Sequence, residues 1–110
     1  MGVDRVQGDF QSKKLNNHKL SLGASEEVTY FVNQSGSDSA SSPYKIYYNF
    51  ERDTIAINIR ATVACSLTEM NGRALKSPLS LNPGSNLINI WATSFKIVST
   101  ASTVLEVTIR

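Results

Sequence analysis

The stretch Thr54–Val63, TIAINIRATV, decides the fold. Ile55, Ile57, Ile59, Ala61 and Val63 point one way and Ala56, Asn58, Arg60 and Thr62 the other. A period of two with one apolar and one polar side is the pattern of a strand with one face buried and one wet. Tyr44–Phe50, upstream, repeats it: Tyr44, Ile46, Tyr48 and Phe50 share a side, and Lys45, Tyr47 and Asn49 the other. Downstream, Cys65–Met70 continues as strand into Asn71-Gly72, a dipeptide that tolerates the positive φ of a tight hairpin. Ala74–Leu81 is interrupted by Pro78, which confines it to a sheet edge. Asn82-Pro83-Gly84-Ser85 is a second turn, Asn86–Thr93 a strand with room to run to Val98, and Thr103–Ile109 the closing strand.

Working outward, Val28–Val32 is rich in β-formers and is placed at the other edge, open to β-augmentation by a partner strand. Gln34–Ser42 is a low-complexity surface loop closed by Pro43. Residues 1–27 read as a polar arm, with a short strand at Lys19–Leu22, preceding a sandwich domain over 28–110. No segment keeps helical spacing over a useful length. The expected fold is all-β: a single antiparallel β-sandwich of immunoglobulin or cadherin type. Its expected core is Ile55, Ile57, Ile59, Ile88, Ile90, Leu105, Val107 and Ile109.

With 110 residues the chain has room for one domain. A net charge of +2 is too balanced to announce a nucleic-acid or membrane partner, and residues 1–27 carry four basic and four acidic side chains, so no basic arm. Lys45, Arg60, Arg73, Lys76 and Lys96 are dispersed, without the aromatic interleaving of a nucleic-acid groove. No apolar run has the length of a membrane-spanning helix, so membrane insertion is not expected. Cys65, the single cysteine, forbids an internal disulfide and suits a reducing compartment.

The half from Ile57 to Arg110 resembles the cadherin-like repeat of the immunoglobulin-like sandwiches. The resemblance lies in the strand leading to the Asn-Gly turn (IAINIRATVACSLTEMNGRAL), in PLSLNPGSNLINIWAT, and in the terminal VLEVTIR. It implies a cell-surface or secreted module. Cadherins bind calcium through clustered acids. Here Asp38, Glu51, Asp53, Glu69 and Glu106 are scattered, and no calcium site is expected. The same half is also similar to the PINIT domain of SUMO ligases, in Glu69-Met70-Asn71-Gly72-Arg73 and in the Asn86–Trp91 strand. The zinc-binding RING of those ligases is absent from this sequence.

The chemistry-bearing residues are few. His18 is the only histidine and stands in the polar arm, read as a surface residue; Cys65 is read as a small buried hydrophobe. Zinc needs about four N or S ligands, and these two are the whole supply. Glu51 and Asp53 bracket Arg52 at a turn and do not form a converging acid pair. There is no Gly-rich phosphate loop, so no cofactor is expected, and the chain is read as a non-enzymatic contact module, a protein-interaction or scaffolding unit of a larger protein or complex. The candidate contact residues are Trp91, Leu87, Tyr47 and Arg60. If the isoleucines of the Asn86–Thr93 strand face inward, Leu87 and Trp91 face outward; the alternative is a core tryptophan of the immunoglobulin kind. Tyr47 joins them only if its strand is a neighbour. The second reading is a carbohydrate-binding module, with Trp91 as the stacking ring and Asn58, Arg60 and Asn89 as polar contacts. Self-association is left open.

Overall fold

In a computed structural model of the chain, which describes residues 16–110, the alternating stretch is strand β4 (Ile57–Ala61); it buries Ile57, Ile59 and Ala61 and leaves Arg60 exposed. Its neighbours are β9 (Thr103–Ile109) and β7 (Gly84–Ile88), and β1 (Asn17–Leu22) pairs with the far side of β9. The resulting four-stranded sheet runs β1-β9-β4-β7. The second sheet has five strands in the order β3 (Tyr44–Tyr47), β2 (Glu27–Phe31), β8 (Ser94–Val98), β5 (Cys65–Met70), β6 (Arg73–Leu81). The two sheets share one apolar core, and the described residues hold no helix, so the chain is an all-β sandwich.

The core is layered by chemistry. Tyr30 stacks between Phe95, at 5.0 Å between ring centres, and Tyr48, at 5.9 Å. Val28, Ile46, Leu67 and Ile97 complete the five-stranded side, and Leu22, Ile57, Ile59, Leu105, Val107 and Ile109 the other. The Tyr48 hydroxyl donates to the Val107 carbonyl at 2.6 Å and ties the chain just beyond β3 to β9 in the opposite sheet.

Several expectations need correction. Ile55 is 60% exposed and Ile90 41% exposed, although both carry the period of the core, and Ile88 is only partly buried against it. The cause at Ile55 is a β-bulge: the N–H groups of Ile55 and Ala56 both donate to the Arg110 carbonyl, at 2.7 and 3.2 Å. Two residues opposing one reset the alternation. Thr54 and Ala56 are buried ahead of the reset, Ile57 and Ile59 after it, and Ile55 is turned out. At Ile90 the strand has already ended. β7 stops at Ile88, three residues (Asn89, Ile90 and Trp91) stand against two on the neighbouring strand, and pairing resumes at a Thr54–Ala92 bridge with Ala92 buried, before the chain passes to the other sheet at Thr93. Val63 likewise lies beyond the end of its strand, β4, and is exposed.

Topology brings three more. β2 and β3 are parallel, Val28 opposite Tyr44 through Phe31 opposite Tyr47, so the sandwich is not wholly antiparallel. The twelve residues 32–43 supply the crossover that a parallel pair needs. β2 is therefore interior, between β3 and β8, and is no edge for a partner strand. The part of the expected arm at residues 17–22 is β1, paired along its length with β9, so the sandwich begins ahead of Val28; residues 1–15 lie outside the described residues. The Asn71-Gly72 turn read from sequence holds, at φ 55° and 79° in the β5–β6 hairpin; the second is shorter than expected, because Gly84, at φ 101°, and Ser85 already pair with β4 as the start of β7. Pro78 lies on edge strand β6, where pairing jumps from Leu67–Leu79 to Glu69–Ala74 and leaves residues 75–78 unmatched.

The bulge gives a sharp contrast between two neighbouring isoleucines. Ile57→Ala should cost about 2–5 kcal/mol of unfolding free energy, as a buried truncation does. Ile55→Ala should stay within about 0.5 kcal/mol. Urea denaturation of the two variants checks both, and equal losses would contradict the reset.

Candidate interaction surface

The strand phase decides which apolar side chains are left outside. Between the Thr54–Ala92 bridge and the Ile57–Ile88 pair, Ile55-Ala56 on one strand opposes Asn89-Ile90-Trp91 on the other. Both stretches are pinned at their ends, and their large side chains face solvent. Trp91 is 58% exposed, so the core-tryptophan alternative is set aside. Leu87, 60% exposed, projects from the outer face of β7 opposite Asn58. Ile55, Leu87, Ile90 and Trp91 thus gather at one corner of the four-stranded sheet. Clustered exposed apolar groups of this kind mark contact surfaces.

Arg60 shares that outer face. It lies two pairs further along β4 than Asn58, between Ser85 of β7 and Glu106 of β9, with Lys19 of β1 beyond. Asn58, next to Leu87 on the same face, has a buried side-chain oxygen with no hydrogen-bond donor among the described residues. A desolvated acceptor left unmade costs about 1–3 kcal/mol of stability.

Tyr47 does not belong to this group. It is on β3 in the other sheet, its ring stacked on Phe31 at 4.8 Å and 11°. A Cβ on Gly36 would lie 2.7 Å from the Tyr47 ring, so only glycine lets the 34–42 loop lie on it. That loop also covers the β3 edge. Asp38 accepts from the Tyr47 N–H at 2.8 Å, the Ser39 hydroxyl accepts from the Lys45 N–H at 3.2 Å, and the Ser39 N–H donates to the Lys45 carbonyl at 3.0 Å.

β7 contrasts with the other three edges of the described sheets. β3 is covered by its loop. β6 carries Pro78, Arg73, Lys76 and an unmatched segment, and β1 carries Lys19. Such charges, prolines and irregularities keep edges from pairing with another chain. β7, GSNLI, has none of them, and no charge follows until Lys96. Its turn is built from within: the Asn86 side chain donates to the carbonyls of Asn82 and Ile59, at 2.9 and 3.1 Å, and accepts from the Asn82 N–H at 3.1 Å. The strand is thereby held ready in an extended shape.

The remaining polar groups serve local order. His18 is not a surface residue: it faces inward from β1, half-buried, with Nε2 3.9 Å from the Asp38 carboxylate. Cys65 is buried on the opposite sheet, and burial pushes its thiol pKa up, away from the reactive thiolate. Burial likewise raises Tyr30 and Tyr48, which stay neutral phenols. Lys96 bridges Glu27 at 3.2 Å and Glu69 at 3.4 Å on the outer face of the five-stranded sheet, and the hydrogen bond to Glu27 leads in raising its pKa. Asp53 accepts from the Asn33 amide at 3.2 Å, and Arg52 lies over the Phe50 ring at 5.0 Å. Phe31, Asn33, Gln34, Asp53, Thr93 and Ser94 line an open hollow of about 200 Å³. Among the described residues no three His, Cys, Asp or Glu side chains are placed to hold a metal ion.

Comparison of the chain with protein-family models, with curated proteins and with solved structures gives no match.

Proposed function

We propose that the chain is a non-enzymatic protein-interaction module whose contact surface is the β7 edge with Ile55, Leu87, Ile90 and Trp91. The observation that carries this is the pairing of an unblunted edge strand with an apolar corner at its end. Main-chain hydrogen bonds along an edge give a partner strand affinity, and apolar side chains beside it give anchorage. Arg60 adds a charged contact on the same face. Trp91, Leu87 and Arg60 carry the contact in this reading; Tyr47 supports the 34–42 loop and takes no part.

A library of random extended peptides, selected on the purified chain, tests this. Selected peptides should alternate apolar residues, bind with micromolar Kd, and lose at least about tenfold in affinity, about 1.4 kcal/mol, in Trp91→Ser and in Ser85→Pro, while Phe31→Ala binds normally. Binders that ignore both β7-side variants, or no binders at all, would remove the reading.

A second reading, a carbohydrate-binding module, is favoured by the hollow at Phe31, where an aromatic ring stands beside the Asn33–Asp53 pair and Gln34. Here the polar groups gather around Phe31, whereas Trp91 has no second aromatic ring stacked on it among the described residues. Saturation-transfer NMR with methyl hexosides would show ring-proton transfer abolished by Asp53→Ala; a flat response across the panel removes it.

A further inference from the structure

We infer that the strand accepted by β7 is β7 of a second copy, so that the chain associates with itself edge to edge, antiparallel, about a twofold axis. This rests on the reading of β7 as the contact edge and names its partner. Three observations lead there.

The first is charge. The run Gly84–Ser94 contains no Lys, Arg, Asp or Glu. Self-pairing therefore opposes no like charges in any register, the usual penalty for placing a strand against its own copy. A foreign partner is commonly selected by complementary charge across the contact, and this edge offers none to read.

The second is closure. Antiparallel pairing of one edge with itself is isologous, the same patch on both copies. It joins two four-stranded sheets into one of eight and then stops, because the far edge of each is β1 with Lys19, and the edges of the other sheet are covered at β3 or broken at Pro78. The assembly so formed is a dimer and not a fibre.

The third is geometry. Both outer faces come together on one side of the joined sheet, and a register centred on Leu87 sets the two exposed Leu87 side chains opposite each other across the join. A five-residue edge is short for a stable interface, which takes about 800 Å² per partner. The dimer is accordingly weak and depends on concentration.

Sedimentation equilibrium of the purified chain from about 10 µM to about 1 mM tests the inference. The mass should climb from monomer toward dimer and no further. Leu87→Lys, at an exposed site, should weaken dimerisation at least tenfold while leaving the thermal midpoint in place, and so should Leu87→Glu. Mixing the two variants should restore association, because the opposed positions then carry opposite charges; a structural effect of either substitution would give no such rescue. A wild-type chain that stays monomeric, a mass rising beyond dimer, or variants that do not rescue each other would each overturn self-pairing. If selected peptides still bind β7 in that case, the contact-edge reading stands without this partner; if they too fail, the reading falls with it.

Discussion

One carbonyl sets the arrangement of this corner of the sandwich. The Arg110 oxygen accepts from both Ile55 and Ala56, and the Thr54 hydroxyl, fully buried, lies 2.6 Å from the same oxygen and accepts from the Arg110 N–H at 3.0 Å. With two residues fixed opposite one, Thr54 and Ala56 can be buried and Ile57 and Ile59 can also face the core. The residue that gives way is Ile55. Without the bulge, strict alternation would place Ile55 with Ile57 and turn Thr54 and Ala56 outward. The core strand and the exposed corner are two consequences of one local constraint.

The two sheets divide the labour around that corner. The five-stranded sheet uses its irregular segments to close itself: the 34–42 loop seals β3, and the Asn71 side chain accepts from the Thr93 N–H at 2.7 Å, holding the chain as it passes from one sheet to the other. The four-stranded sheet closes only one side in this way. At the β4–β9 end its Thr103 hydroxyl accepts from the Val63 N–H at 3.1 Å and ties β9 to the crossover. β7 is left short, uncharged and anchored by Asn86. An edge in this state is a template for another strand, and the apolar residues beside it decide how tightly that strand is held.

Much of the fold was legible because its signals are local. Alternation in Tyr44–Phe50, at Ile57 and Ile59, and in Leu105–Ile109 rests on neighbours two residues apart, and Asn71-Gly72 declares its turn by the φ values it tolerates. What escaped was set from far away. The bulge that expels Ile55 depends on the carbonyl of Arg110, the last residue of the chain. The end of β7 before Ile90 depends on a bridge to Thr54. A hairpin and a parallel crossover begin with the same loop, so the interior place of β2 had no local mark. Of the candidate contact residues, Leu87 on edge strand β7 and Arg60 on its neighbour β4 fall on the same outer face as their periodicity allowed, and Trp91 is exposed just beyond the end of β7. Tyr47 falls elsewhere, and its cover, Gly36, sits in a loop whose low complexity hid its packing role. The signal that could have found the edge was the run of eleven uncharged residues from Gly84 to Ser94, visible in the sequence but meaningless until the strand order made it an edge.

The central claim is that the strand phase turns the apolar corner outward, and Trp91 reports on it alone, as the only tryptophan in the chain. Its emission and acrylamide quenching, measured on the dilute chain where copies are apart, test the claim directly. Red-shifted emission that acrylamide quenches readily is the result this account requires. Blue emission shielded from acrylamide would place Trp91 in the interior, and the corner, the edge and the pairing built on them would go with it.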